Sequence, residues 1–257
     1  MAESKKAPIA YRAIKRLVWA LSPKMRVEGL ENLPEGEAVI VGNHAQIYGP
    51  IAAELYINGD HHIWCAAQMM KLREVPAYAY QDFWSMKPWY THGFYRLVSF
   101  LIAPLSVLIF NNAHTIPVYR DARVMITFRQ TLRLLRGGEK IVIFPEHTVP
   151  HNNIVYDFQD RFIDLGRMYY QTTQKELSFV PMYIAPKLKK MVLGKPVRYR
   201  AGQPPEQERQ RIKEELMDAV TRLGRGLPPH TVVPYAVIPR RDYPSSRINE
   251  GGKEESP

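Results

Sequence analysis

Apolar and polar positions along the chain fall into two alternating regimes. Short apolar runs of strand length lie at Ala38–Val41, Ile63–Ala67 and Ile141–Phe144. Ile116–Tyr119, Phe179–Ile184 (interrupted by Pro181) and Val197–Tyr199 are further predicted strands, and RVEGLENLPEG reads as a short strand and turn. Between them stand helical stripes. Asp121 is placed as the N-cap of a helix with Met125, Phe128, Leu132 and Leu135 on one face, stopped by Gly137-Gly138. A further helix over 206–223 turns Ile212, Leu216, Val220 and Leu223 inward. Pro50, preceded by Gly49 as N-cap, opens a helix running through Ile57. The strand–helix–strand succession around 116–144 predicts parallel pairing and an α/β fold.

Two segments have other possible destinations. Tyr11, Ile14, Val18 and Leu21 form one face of a helix over 10–21, with Arg12, Lys15 and Arg16 off that face and Trp19 nearby. A basic amphipathic helix of this kind either lies on an anionic bilayer or packs on the main domain. The uncharged stretch from Leu97 to Phe110 is shorter than the roughly 20 residues of a spanning helix and contains Pro104. It reads as a buried helical hairpin or as an interfacial element entering lipid. Beyond Pro239 the chain is rich in charge, Ser, Gly and Pro, and a frayed tail is expected there. No repeat or linker divides the chain. The expected organisation is a basic helix over 1–24, one α/β domain over 25–238 with a mostly parallel central sheet flanked by helices, and a flexible tail over 239–257.

Composition narrows the partners. The 257 residues, 46% hydrophobic and 23% charged, have ordinary globular values and exclude a disordered or fibrous chain. The formal charge of +10 favours anionic membranes, phosphorylated substrates or nucleic acid. No zinc-finger spacing or RNA-binding aromatic signature supports the last, so no nucleic-acid partner is expected. Cys65 is the single cysteine, which excludes an intramolecular disulfide. No secretory signal is evident, since Arg12, Lys15 and Arg16 break the first apolar run. No metal is expected either. His147 and His151 are spaced i, i+4, but Pro150 between them opposes a regular helix, and no H-E-x-x-H sequence occurs.

In an open α/β sheet, ligands collect beyond the carboxyl ends of strands. Three predicted strand ends carry reactive groups: Asn43-His44, Tyr119-Arg120 and Pro145-Glu146-His147-Thr148. Their surroundings resemble the motifs of the glycerolipid acyltransferases of the lysophosphatidate acyltransferase type. VGNHAQIYGP resembles the first motif, Asn-His, four residues, Asp. HTIPVYRDAR resembles the second, an Ile-Pro-Val run ending in Arg. IVIFPEHT resembles the third, Phe-Pro-Glu-Gly-Thr-Arg, and FVPMYI the fourth, a Val-Pro step in a strand. RVEGLENLP looks like the strand that opens the domain. The resemblance runs from about Met25 to Arg200, with the motifs in family order.

The resemblance implies transfer of a fatty acyl group from a thioester to a hydroxyl of a lysophospholipid or glycerol-phosphate-type acceptor. It places His44 as general base and Arg120, Glu146 and Thr148 at the acceptor, with no cofactor. The donor is acyl-coenzyme A or an acyl-carrier protein, the latter then a protein partner. The implied location is peripheral, on the cytoplasmic face of an anionic membrane. The sequence departs from the motifs at Gly49, where the Asp is expected, and at His147 and Val149 in the third motif. In the family, that Asp orients the imidazole. Loss of an analogous orienting carboxylate lowers kcat about 10⁴-fold in serine proteases. The candidate replacements are Glu146, Glu54, Asp82 and a main-chain carbonyl, with Glu146 preferred. The alternative is a catalytically impaired family member that binds lipid or a partner. A His44 ring with no such acceptor in reach would favour that alternative.

Overall fold

Strands and helices alternate along the chain as the apolar runs predict, and parallel pairing predominates. A computed structural model describes residues 8–22, 24–85 and 87–247. In chain order the main elements are α1 (Ile9–Leu21), β1 (Arg26–Glu28), β2 (Ala38–Gly42), α2 (Tyr48–Tyr56), β3 (His61–Ala66), α3 (Val75–Ala79), α4 (His92–Phe110), β4 (Thr115–Val118), α5 (Val124–Arg136), β5 (Lys140–Ile143), β6 (Glu146–Pro150), β7 (Tyr156–Phe158), α6 (Asp164–Thr173), β8 (Ser178–Ala185), β9 (Lys190–Leu193), β10 (Val197–Arg198) and α7 (Pro205–Gly226). The fold is α/β with a mostly parallel sheet flanked by helices. By contacts the chain divides into two compact units, where the sequence suggests one domain over 25–238. Among the described residues, the first comprises 8–22 with 57–85 and 87–142, and the second 24–56 with 143–247.

In the first unit β3 is central, parallel to both β4 and β5. The α5 helix links β4 to β5. Its inward residues are Thr127, Phe128, Thr131, Leu132 and Leu135, while Met125 faces solvent, contrary to the predicted stripe. Asp121 does not cap α5 directly. Its carboxylate accepts the Arg123 backbone N–H at 2.9 Å and pairs with the Arg123 guanidinium.

The Leu97–Phe110 stretch is not a buried hairpin. It forms one helix, α4, with Pro104 inside it, about 28 Å long at 1.5 Å per residue. Its buried residues are small, Ser99, Ala103 and Ser106, whereas Phe94, Leu97, Phe100, Leu101 and Leu105 are exposed. Ala103 packs with Val75 and Ala79 of α3, and the Ser106 hydroxyl donates to the Met69 carbonyl at 2.9 Å. On α1, Tyr11 is buried and Ile14 and Val18 are partly so, but Leu21 at the end of the same face is exposed. Residues 1–7 and Pro23 of the expected basic helix lie outside the described residues.

In the second unit the strand order is β1-β9-β8-β2, with β10 on β8. The β1–β9 and β2–β8 pairs are parallel, and β8 pairs antiparallel with β9 and β10. The β2 and β8 strands are buried almost throughout, which explains their unbroken apolar sequences. The apolar face of α7 supplies the buried Ile212, Leu216 and Val220. No apolar pattern foretells α6 or the antiparallel ribbon of β6 and β7.

The expected flexible tail begins too early. Residues 239–247 are placed, with a short 3-10 turn at Arg240–Asp242 and an antiparallel bridge between Thr231 and Ser245. Residues 248–257 lie outside the described residues.

Candidate active site

The site grows from the end of β2. Asn43, the first residue beyond the strand, is buried, so its amide needs partners. It finds both on Ile184 of β8: Nδ2 donates to the carbonyl at 3.0 Å, and Oδ1 accepts the N–H at 2.7 Å. The side chain thus continues the parallel ladder one step past the strand. The chain then turns sharply, with Ala45 and Gln46 both at positive φ (45° and 54°). Non-glycine residues rarely adopt that conformation, and surrounding bonds must hold it.

Glu146 supplies one such restraint. Its carboxylate is 3% exposed and accepts two main-chain N–H groups, from His44 at 2.6 Å and from Tyr156 at 2.9 Å. Burial raises its pKa to about 7, and those two N–H bonds oppose the rise. Both oxygens are therefore committed to backbone. This corrects one expectation: the hydrogen bonds of Glu146 go to the main chain of His44 and Tyr156, not to the His44 ring. Glu146 positions the main chain that carries His44.

Gly49 has an equally definite role. It is not an N-cap, because α2 begins at Tyr48 and Gly49 is buried within the first turn. Its N–H donates to the His44 carbonyl at 3.0 Å. A Cβ at this position would overlap that carbonyl oxygen and stand 3.1 Å from Phe144 Cε1. The position where the family motif has Asp is thus filled by the backbone of His44 itself.

The His44 ring is partly buried between Phe144, at 5.3 Å between centroids, and Tyr235, at 5.6 Å. Its Nδ1 is enclosed and has no hydrogen-bond partner. The Glu146 carboxylate, which bonds main-chain N–H groups, is not its partner. Desolvation lowers the His44 pKa, opposed by the nearby backbone of Gln46 and of His44. The imidazole is consequently neutral near pH 7, the state a general base requires.

The remaining predicted residues are Thr148 and Arg120. Thr148 is exposed on β6, as is His147. Arg120 is exposed just past β4 in the first unit, and its charge opposes the burial-driven rise of the Asp82 pKa. Cys65 has its thiol pushed up to about 12 by burial, which removes it as a nucleophile. No group of His, Cys, Asp and Glu suited to a metal ion occurs among the described residues.

Comparison of the sequence with protein families and with curated proteins gives no match. Among solved structures, the fold is similar to the crystal structure of the 1-acyl-sn-glycerophosphate (LPA) acyltransferase PlsC from Thermotoga maritima. The TM-score is 0.47 and the identity 16%, over 83% of this chain and 79% of that one.

Sequence reasoning missed Phe144 and Tyr235 against the imidazole, Tyr156 packed on Tyr235, and the tie between Tyr243 and Gln46 in the loop after His44. The Gln46 amide donates to the Ala236 carbonyl at 3.3 Å and to the Tyr243 hydroxyl at 3.0 Å. The available signal was the regular spacing of Pro228, Pro229, Pro234, Pro239 and Pro244. Such spacing fits an extended, packed segment as well as a frayed one.

Proposed function

We propose that the chain is an acyltransferase that moves an acyl group from a thioester to a lipid hydroxyl, with His44 as general base. The observation that carries this reading is the state of His44 within the VGNHAQIYGP motif. It is a neutral imidazole beyond a strand end, its main chain fixed through Asn43 and Glu146, and Nδ1 is its enclosed nitrogen. In the proposed reaction Nε2 takes the acceptor's hydroxyl proton as that oxygen attacks the thioester carbonyl. The tetrahedral intermediate collapses with cleavage of the C–S bond, and the imidazolium returns the proton to the departing thiolate.

The acceptor is proposed to be a lysophospholipid or glycerol-phosphate-type molecule, and the donor acyl-coenzyme A or an acyl-carrier protein. Arg120 is assigned to the acceptor phosphate, since a planar guanidinium donates in pairs, and Thr148 is an auxiliary donor. Membrane association is part of the same reading. The α4 helix places Phe100 (65% exposed) and Leu101 (70% exposed) outward, and Trp89 and Tyr90 precede it, also exposed. The segment Trp89–Phe110 is long and apolar enough to cross a membrane by length and composition. Large apolar groups outside and small ones inside is the arrangement that lipid, not water, stabilises. A peripheral location on the cytoplasmic face remains the proposed one.

The unpartnered Nδ1 favours a second reading, a catalytically impaired protein that binds lipid. Acyl transfer stays ahead because Gly49 is built into a close backbone contact and the imidazole is held neutral. One experiment separates the two. Purified protein is incubated with a lipid extract and labelled acyl thioesters, beside His44→Ala. Transfer that is lost in the variant supports catalysis by His44. Equal transfer by both proteins removes His44 from the mechanism, and lipid binding without transfer by either supports the second reading.

A further inference from the structure

Tyr235 reaches His44 from the far end of the chain, on a segment that returns over the second unit and is closed on itself. His230 N–H donates to Ser246 Oγ at 3.0 Å, Ser246 N–H to the His230 carbonyl at 2.8 Å, and Val232 N–H to the Pro244 carbonyl at 2.9 Å. The buried pair of Tyr183 Oη and His230 Nε2, 2.9 Å apart, anchors it to β8. The Asn153 amide donates to the Ser245 carbonyl at 2.6 Å. At the other side the segment grips the strained loop after His44, through the Gln46 bonds to Ala236 and Tyr243. Between these anchors, the Tyr235 ring meets the His44 ring at 74° and Tyr156 at 6.1 Å. Both ring pairs fall within the ~4.5–7 Å range of favourable aromatic contacts.

We propose that Tyr235 is the positioning residue of His44, fixing the imidazole by ring packing in a site where no hydrogen bond holds Nδ1, and that segment 230–247 exists to deliver it. The inference rests on His44 being the base proposed above. Its physical logic is that a partly buried ring without a directional partner at Nδ1 keeps its orientation only if its walls are rigid. Phe144 is one wall, set at the end of β5. Tyr235 is the other, and it depends on the returning segment. Removing it opens the enclosed nitrogen to water. Of the titratable groups here, the Glu146 carboxylate bonds the His44 main chain and the Tyr235 ring contacts the imidazole, with Tyr156 packed against Tyr235.

The test is a pH titration of ¹⁵N-histidine-labelled full chain by NMR, with the His44 resonance identified by its loss in His44→Ala. In native protein the His44 midpoint is expected below the ordinary histidine range, because burial disfavours the imidazolium. Tyr235→Ala is expected to move it upward toward that range, and Tyr235→Phe to leave it in place because the ring remains. Tyr243→Phe, which removes one tie to Gln46, is expected to move it upward by less. An unchanged midpoint in folded Tyr235→Ala overturns the proposal. Should that variant not fold, an unchanged midpoint in Tyr243→Phe overturns it. In an acyl-transfer assay, Tyr235→Ala should lower kcat on the order of tenfold with KM little changed, since small misplacements of a catalytic group cost up to about 10²-fold. A change confined to KM would make Tyr235 a substrate contact and overturn the positioning role. A Tyr235-dependent midpoint in a protein that transfers no acyl group would fail the proposed function and leave the positioning role standing.

Discussion

Gly49 and Glu146 show how a single position can be misread from its neighbours in the chain. Gly49 stands where the resembling motif has Asp, which suggests a lost catalytic partner. Its Cα instead faces the His44 carbonyl at a distance that admits no side chain. Gly49→Asp is therefore not expected to restore a dyad. It should displace the His44 loop, lower the melting temperature and reduce any activity, with an overpacking cost of about 1–3 kcal/mol. Thermal melts with an activity assay check this, and a more active, equally stable variant would contradict it. Glu146 carries a pH signature. Its folded pKa, about 7, lies above its ordinary value of 4.5. A group with a raised folded pKa contributes most at low pH, and the contribution is lost as pH rises through the folded value. Denaturant midpoints should therefore fall between about pH 4.5 and 7. Glu146→Gln should flatten that slope. It should also cost about 1–3 kcal/mol at low pH, because one N–H loses its acceptor.

Among the elements, α4 departs furthest from its sequence-based expectation. Its apolar composition was plain, but composition does not say which face is covered. The structure buries Ser99, Ala103 and Ser106 and leaves the Leu97–Phe100–Leu101 surface open. Replacing Phe100 and Leu101 together by Glu should sharply weaken binding to lipid vesicles while the melting temperature changes by less than a core substitution would cause. Co-sedimentation with vesicles, paired with thermal melts, reads both. Loss of stability with unchanged binding would show that the helix face serves the protein's own packing. The strands were easier to anticipate. β2, β5 and β8 are buried on both faces, so their sequences are continuous apolar runs that end where the backbone emerges. α6 escaped notice because Gly166 and Tyr169, among its buried residues, mark no apolar stripe.

For the molecule as a whole, the proposed membrane association would draw on two different forces, one from the +10 charge and one from the exposed apolar helix. Coulombic attraction is screened over about 8–10 Å at 0.1–0.15 M salt, whereas apolar burial is not. Binding to anionic vesicles should fall as salt rises and then level off, the residual part being lost in the Phe100/Leu101 double variant. Complete release by salt in native protein would assign the attachment to charge alone. The α/β class, the parallel strands and the α7 helix were legible in the sequence, because period and burial are local consequences of which residues are apolar; His44 stood out only through the motif that contains it. The partners of that histidine were not legible. Glu146 lies 102 residues from it, and Tyr243 lies 197 from Gln46. Each contact depends on where the backbone brings distant segments together, and a hydrogen bond to main chain leaves no periodic trace. Tertiary structure alone decided that Glu146 holds the backbone, that Gly49 is filled by a carbonyl, that α4 turns its large side chains outward, and that the segment after α7 folds back as the wall beside the imidazole.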